Sequence, residues 1–171
     1  MNGWQQRVTR LCIAMPRTST KSALIIAVGA IETDYRLDDQ VGFQLRRAYQ
    51  RAGANLASRL AAYDLTVPQF SVLARLHEHG RVSQNLLGRL VIMEPANIRD
   101  VVLRLKKRGL IRTQKDAADK RLTLLSLTRA GLSLFEIIRL LQAKSTAKTL
   151  APLGHTERIL LLNLLRRVGD G

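Results

Sequence analysis

The sequence is poor in several residue types, and each shortage excludes a class of protein. Its 171 residues include one cysteine, Cys12, which excludes an internal disulfide framework and a multi-cysteine zinc site. Aromatic residues make up only 4%, so the core must consist mainly of Leu, Ile, Val and Ala. The longest apolar run near the N-terminus, Ala23 to Ile31, is far shorter than the roughly 20 residues of a membrane-spanning helix.

Acidic residues are also scarce. Asp and Glu number 13 against 28 Lys and Arg, which gives a net charge of +15 and a pI near 11.3. Residues 81–127 alone carry eleven basic and four acidic side chains. This excess predicts a polyanionic partner, with nucleic acid favoured over an anionic membrane surface.

No residue set predicts a catalytic or a metal site, and we expect no cofactor. His77 and His79 are two positions apart, so they do not share a helical face as a metal-binding pair would. A serine–histidine–aspartate arrangement, a carboxylate pair and a glycine-rich phosphate loop do not stand out. Enzymatic activity is therefore not expected.

The first half of the chain predicts an extension followed by two helices. Pro16 and the run Thr18–Thr20 indicate that residues 1–36 form a poorly ordered or variable extension. Apolar residues then recur every three or four positions from Val41 to Leu60, which predicts a long helix ending near Tyr63. The next helix begins at the capping-box sequence Thr66–Gln69 and ends at Gly80.

The middle of the chain predicts a helix-turn-helix followed by two strands. Ser83 caps a short helix, and a turn at Ile92–Glu94 leads to a helix that begins at Pro95 and ends before Gly109. The strands, Leu110–Gln114 and Leu122–Leu127, flank a charged connection. Apolar residues at 122, 124, 125 and 127 break the alternation of the second strand, which indicates either a bulge or burial on both faces.

The C-terminal third predicts two more helices and a dimer. Thr128 caps a long helix that continues to about Leu150, and residues 156–168 form a helix that is apolar on nearly all sides. Because such a helix must be buried, we expect a second subunit. The predicted fold is mainly α with a small two-stranded β wing: a winged helix-turn-helix at 65–128, and a helical dimerisation region made of 37–64 and 129–171.

Four stretches, in this order and spacing, resemble the MarR family of winged helix-turn-helix transcriptional regulators over residues 38–168. They are Leu65–Leu73, Leu103–Leu110, the wing sequence Asp116–Arg121, and Leu127–Gly131. The resemblance implies a cytoplasmic homodimer that binds a pseudo-palindromic double-stranded DNA operator. It implies a repressor, commonly released by a small aromatic acid, with no membrane partner. The stretch Val82–Leu90 with Met93 is also similar to members that control the catabolism of aromatic or N-heterocyclic acids.

The resemblance also implies which residues contact DNA. Ala96, Asn97, Arg99 and Asp100 would face the major groove, and Arg121 would be the wing arginine, oriented by Asp119. The complete expected set is Ser83, Gln84, Pro95, Ala96, Asn97, Arg99, Asp100, Arg104, Lys107, Lys120 and Arg121. This sequence has Asp100 at a position where the family often has arginine, and its basic residue, Arg99, is one position earlier. Peroxide-sensing members carry a cysteine in the first domain helix, so Cys12 is expected to be a spare thiol.

An acidic effector needs a guanidinium and an apolar wall. We expect the pocket where the first, second and fifth helices meet the DNA-binding unit. The candidate residues are Arg47, Tyr49, Arg51, Phe70, Arg75 and His77. The alternative function is a sequence-nonspecific, architectural nucleic-acid-binding protein, which would explain the charge but not the ordered helix-turn-helix and wing.

Overall fold

In a computed structural model that describes residues 35–170, the chain folds into six helices and one small sheet. Helix α1 is preceded by a 3-10 turn at Leu37–Asp39 and followed by another at Ala61–Tyr63. The helices are α1 Val41–Leu60, α2 Val67–His79, α3 Gln84–Leu90, α4 Pro95–Lys107, α5 Arg129–Thr149 and α6 His155–Asp170. The strands are β1 Val82–Ser83, β2 Ile111–Lys115 and β3 Thr123–Leu127.

The helix boundaries follow the capping chemistry of the sequence. Thr66 and Gln69 form the expected reciprocal capping box at the start of α2, with the Gln69 side chain 2.9 Å from the Thr66 amide. The hydroxyl of Ser83 caps α3, and that of Thr128 caps α5. Gly80 and Gly109 follow α2 and α4 with φ of 71° and 68°, a left-handed backbone that glycine adopts without strain.

The two strands expected for the wing are present as β2 and β3, and a third strand that was not expected, β1, completes the sheet. The order is β1-β3-β2 and both pairings are antiparallel. Strand β1 was missed because two residues carry no periodic signal; the strand exists only because Val82 and Ser83 pair with Leu125 and Leu124. The register between β2 and β3 is continuous, so of the two alternatives the bulge is absent. Burial on both faces explains the broken alternation, because Leu124 and Leu127 are half-buried and Leu125 between them is fully buried.

The core lies between α2, α4, the sheet and α5. Leu73, Leu76, Leu105, Leu125 and Ile138 are among its fully buried side chains. The aromatic rings of Phe70 and Phe135 stack with centroids 6.2 Å apart, which joins α2 to α5.

Polar contacts join α1 to the far end of α5. The Asn55 side-chain amide donates to the hydroxyl of Thr149 at 3.0 Å, and the buried Ser145 hydroxyl donates to the Asn55 carbonyl at 3.1 Å. The long helices α1 and α5 are thereby fixed side by side.

Helix α6 buries none of its residues within the single chain. Ile159, Leu160 and Val168 are half or more exposed, and Leu162, Leu164 and Leu165 are nearly so. Among residues 35–170, no helix combines the length and hydropathy needed to cross a membrane. The expected extension, apart from Tyr35 and Arg36, lies outside the described residues, as does Cys12.

Candidate DNA interface and ligand cavities

Helices α3 and α4 form a compact helix-turn-helix. A β-carbon on Gly88 would make ordinary van der Waals contacts with the Ile98 side chain at 3.4 Å and the Met93 carbonyl at 3.5 Å, which shows how closely α3 packs on the first turn of α4. The turn is closed by hydrogen bonds from the amides of Val91 and Met93 to the carbonyls of Leu87 and Gly88. Ile92 in this turn has φ of 55° and is 93% exposed.

Helix α4 is amphipathic, with one face buried in the core and the opposite face exposed. Ile98, Val102 and Leu105 face the core, whereas Ala96, Asn97, Arg99, Asp100, Arg104 and Lys107 are all exposed. At about 100° per residue, Asp100 lies about 200° from Ile98, near the centre of the exposed face. Arg99 lies about 100° from Ile98, on the flank that also carries Lys106.

The two ends of α4 differ in their electrostatics. At the N-terminus Pro95 is exposed, and the Glu94 side chain caps no amide of the first turn. Ser83 and Gln84, at the start of α3, are half-buried, and the Ser83 hydroxyl is engaged by the Leu86 amide. The last turn of α4 carries Arg104, Lys106 and Lys107, where cations complement the helix dipole.

The wing connecting β2 to β3 is ordered by two aspartates. One carboxylate oxygen of Asp116 accepts the amides of Ala118 at 2.8 Å and Asp119 at 2.9 Å. These backbone hydrogen bonds, that of Asp119 first, lower the pKa of Asp116 below its usual value, with a smaller contribution from the charge of Arg81. The carboxylate of Asp119 accepts the Arg121 amide at 2.9 Å, so it fixes the backbone that carries the exposed Lys120 and Arg121.

The cations of residues 81–127 form no ion pair within 4 Å in the part of the chain that the structure describes. The ion pairs within residues 35–170 join Arg47 to Asp38, Arg75 to Glu78 and Arg139 to Glu136. None of these involves a lysine or arginine from residues 81–127. The arrangement therefore presents unneutralised cations on the exposed face of a helix and on an adjacent β wing, which suits phosphate contacts.

An apolar cavity of about 600 Å³ lies between α1, α2, α5 and α6. Of the six candidate ligand residues, Tyr49 and Phe70 line it. No lysine or arginine belongs to its lining, and the side-chain oxygen of Gln142 is buried there without a hydrogen-bond partner.

The other four candidate residues lie elsewhere. Arg47 pairs with Asp38 across 3.7 Å, and Arg51 is exposed on α1. The Arg75 guanidinium donates to the Leu90 carbonyl at 3.0 Å and to Glu78 at 2.7 Å. His77 packs on Phe135 with ring centroids 4.5 Å apart. None of these four residues lines the apolar cavity, although His77 and Phe70 pack on the same ring, that of Phe135.

A second cleft, of about 410 Å³, was not anticipated from the sequence. Its lining includes His77 together with Arg81, Arg112 and Arg129. Strand pairing could have identified part of it, because Arg112 is directly opposite Ser126 across the β2–β3 pair.

A helix-turn-helix followed by a β wing defines the winged helix-turn-helix class, and here both parts carry exposed cations. A sequence model of the MarR family matches residues 65–123. The chain is 34% identical to the HTH-type transcriptional repressor NicR of Pseudomonas putida, over 81% of this chain and 87% of the relative. The chain therefore belongs to the MarR family of transcriptional regulators.

Two solved structures agree with this assignment. A probable transcriptional regulator from Pseudomonas aeruginosa is 44% identical, with a TM-score of 0.73 over 78% of this chain and 99% of that one. Bordetella bronchiseptica BpsR, whose DNA binding is regulated by 6-hydroxynicotinic acid, is 35% identical. Its TM-score is 0.76 over 81% of this chain and 99% of that one.

Proposed function

We propose that the protein is a cytoplasmic, homodimeric repressor that binds a pseudo-palindromic operator and releases it when a small aromatic or heterocyclic acid binds. The observation that carries this proposal is the set of unpaired cations on the exposed face of α4 and on the wing. Asn97, Arg99 and Asp100 would approach base edges in the major groove, with the exposed Arg104, Lys106 and Lys107 on phosphates. Arg121 and Lys120 would reach the adjacent minor groove.

Exposed apolar surface supports the dimer. Helix α6 has no buried residue in the single chain, and Val41, Leu45 and Tyr49 of α1 are exposed as well. A second copy would cover these faces and place two α4 helices about one helical turn of DNA apart. Residues 37–64 and 129–171 would then form the dimerisation region, and residues 65–128 the DNA-binding domain.

The relatives support an acidic effector. BpsR responds to 6-hydroxynicotinic acid, and the similarity of Val82–Leu90 to regulators of aromatic-acid catabolism agrees with this class. The acid would favour a conformer in which the two α4 helices no longer match the half-site spacing. Such a shift requires that the acid bind the two conformers with different affinities.

The alternative is an architectural protein that binds any duplex through its positive charge. Its support is the net charge of +15. The ordered wing favours the specific regulator, because nonspecific contacts with phosphates do not require an ordered wing. Catalysis has no residue set to support it, so we propose that the protein is not an enzyme.

The test separates base contacts from phosphate contacts. A cognate duplex is selected from randomised DNA, and binding is measured for the wild type, Arg121→Ala and Lys106→Ala. We expect Arg121→Ala to weaken cognate binding by about 1–3 kcal/mol. We expect Lys106→Ala to lower the affinity for all duplexes alike. It should also reduce the slope of log K against log salt concentration by about 1. An unchanged affinity in Arg121→Ala, or an altered sequence preference in Lys106→Ala, would contradict the assignment.

A further inference from the structure

The cleft of about 410 Å³ lies on the outer face of the sheet, against α2 and the start of α5. Its cationic lining is Arg81, Arg112 and Arg129, and its apolar lining includes Leu127 and Leu132. We call it the cationic cleft. It shares no lining residue with the apolar cavity.

Strand register places two of the arginines on either side of one serine. Val82 pairs with Leu125, so Arg81, one residue earlier, lies beside Ser126 at the end of this antiparallel pair. Arg112 pairs with Ser126 from the other side, and its Nε donates to the Ser126 hydroxyl at 3.4 Å. Arg81 and Arg112 therefore both line the cleft beside Ser126, and Arg112 is the one hydrogen-bonded to its hydroxyl.

The third arginine occupies an unfavourable position for a cation. Arg129 is the first residue of α5, and the first turn of that helix holds no acidic residue. A cation at a helix N-terminus is repelled by the dipole, and here it adds to two neighbouring guanidiniums. No carboxylate among residues 35–170 lies within 4 Å of these three arginines, although Arg81 acts on Asp116 from a greater distance. A bound anion would relieve this repulsion.

The position of the cleft favours a free anion over the DNA backbone. Ser126 and Arg112 are near the end of the sheet remote from the wing tip, three residues along the strands from the Thr123–Lys115 pair. Three residues of strand span roughly 10 Å. DNA held by α4 and the wing tip would therefore leave the cleft open to a small molecule.

We propose that the cationic cleft binds a small carboxylate, with its oxygens on Arg112 and Arg129 and its apolar body against Leu127 and Leu132. The planar guanidinium matches a carboxylate in geometry as well as in charge. The inference rests on the proposed function, in that it places the acidic effector here and not in the apolar cavity, whose lining holds no cation.

Calorimetric titration of the full chain tests the proposal with three probes. Benzoate supplies a carboxylate and an apolar ring, inorganic phosphate supplies an oxyanion alone, and benzamide supplies the ring without the charge. We expect benzoate to bind with a Kd of about 1 mM or tighter, phosphate more weakly, and benzamide not at all. The variant Arg112→Gln/Arg129→Gln should weaken benzoate binding at least tenfold, roughly the effect of one charge-assisted hydrogen bond.

Arg139→Gln is the matched control, because it removes an exposed arginine of α5 that is paired with Glu136 outside the cleft. It should bind benzoate as the wild type does. Circular dichroism establishes that each variant is folded, and amide shifts at Ser126 and Thr128 locate the bound ring.

Equal benzoate affinity in the wild type and the double variant would overturn the proposal, as would no binding at about 10 mM. It would also be overturned if the double variant bound benzoate normally but lost DNA affinity at all sequences, since the cleft would then serve the DNA backbone. A parallel DNA titration distinguishes a failure of the cleft assignment from a failure of the proposed function. If benzoate releases DNA equally well from the double variant, the ligand-responsive repressor stands and the cleft assignment fails.

Discussion

Replacing Gly131 by alanine has two opposing effects on stability, a gain in helix propensity and a steric clash. Gly131 lies in the first turn of α5, where helix propensity alone predicts that alanine stabilises the protein by up to about 1 kcal/mol. A β-carbon at this position, however, would lie 1.9 Å from the carbonyl oxygen of Leu110 and 2.9 Å from its carbon. That carbonyl cannot turn aside freely, because it accepts the Thr128 amide at 3.0 Å and the Thr128 hydroxyl at 3.2 Å.

We therefore expect Gly131→Ala to be destabilising. Overpacking of this kind costs about 1–3 kcal/mol, and disturbing the Thr128 cap of α5 adds about 1 kcal/mol. Urea unfolding followed by circular dichroism, at one fixed protein concentration, measures the change in the free energy of unfolding. Gly42→Ala in α1 is the control, since nothing lies within 4 Å of its added β-carbon. A Gly131→Ala variant as stable as the wild type would refute the close approach of α5 to Leu110.

Three further predictions concern the helix-turn-helix and the wing. Ile92→Asn should raise the free energy of unfolding by about 1 kcal/mol in the same urea assay, because asparagine tolerates the left-handed backbone that strains a β-branched residue; a loss of stability would contradict this. Arg108→Met should lower the free energy of unfolding by about 1 kcal/mol in that assay. The Arg108 guanidinium donates to the carbonyls of Tyr63 and Asp64, so it connects the end of α4 to the turn that follows α1. Since the pKa of Asp116 is lowered in the fold, its hydrogen bonds should persist at the usual carboxyl pKa of 3.8 and be lost only as the pH falls further. Amide proton shifts of Ala118 and Asp119 report this titration, and a midpoint above 3.8 would be inconsistent with it.

Local chemistry made most of the fold predictable. The caps at Thr66, Ser83 and Thr128 and the glycines after α2 and α4 act within a few residues, so the sequence states them directly. Strand β1 was not predictable in this way, because its two residues become a strand only through pairing with β3. The unexpected closeness of Gly131 to Leu110 is likewise a tertiary contact.

The candidate ligand site shows the same limit. Arg47 and Tyr49 are near in sequence, but at about 100° per residue they lie about 200° apart around α1. Tyr49 therefore lines the apolar cavity while Arg47 pairs with Asp38. The cationic cleft combines Arg81 from the loop before β1, Arg112 from β2 and Arg129 from α5, and no sequence spacing relates them.

Specific DNA binding is the central claim, and fluorescence anisotropy tests it most directly. The protein is titrated at about 150 mM salt, where nonspecific phosphate contacts are weakened, against the DNA upstream of its own gene, a duplex selected from randomised DNA, and scrambled versions of both. The account predicts a preference of about a thousandfold or more for at least one of the unscrambled duplexes. Equal and steeply salt-dependent binding to all of them would contradict it and favour the architectural alternative.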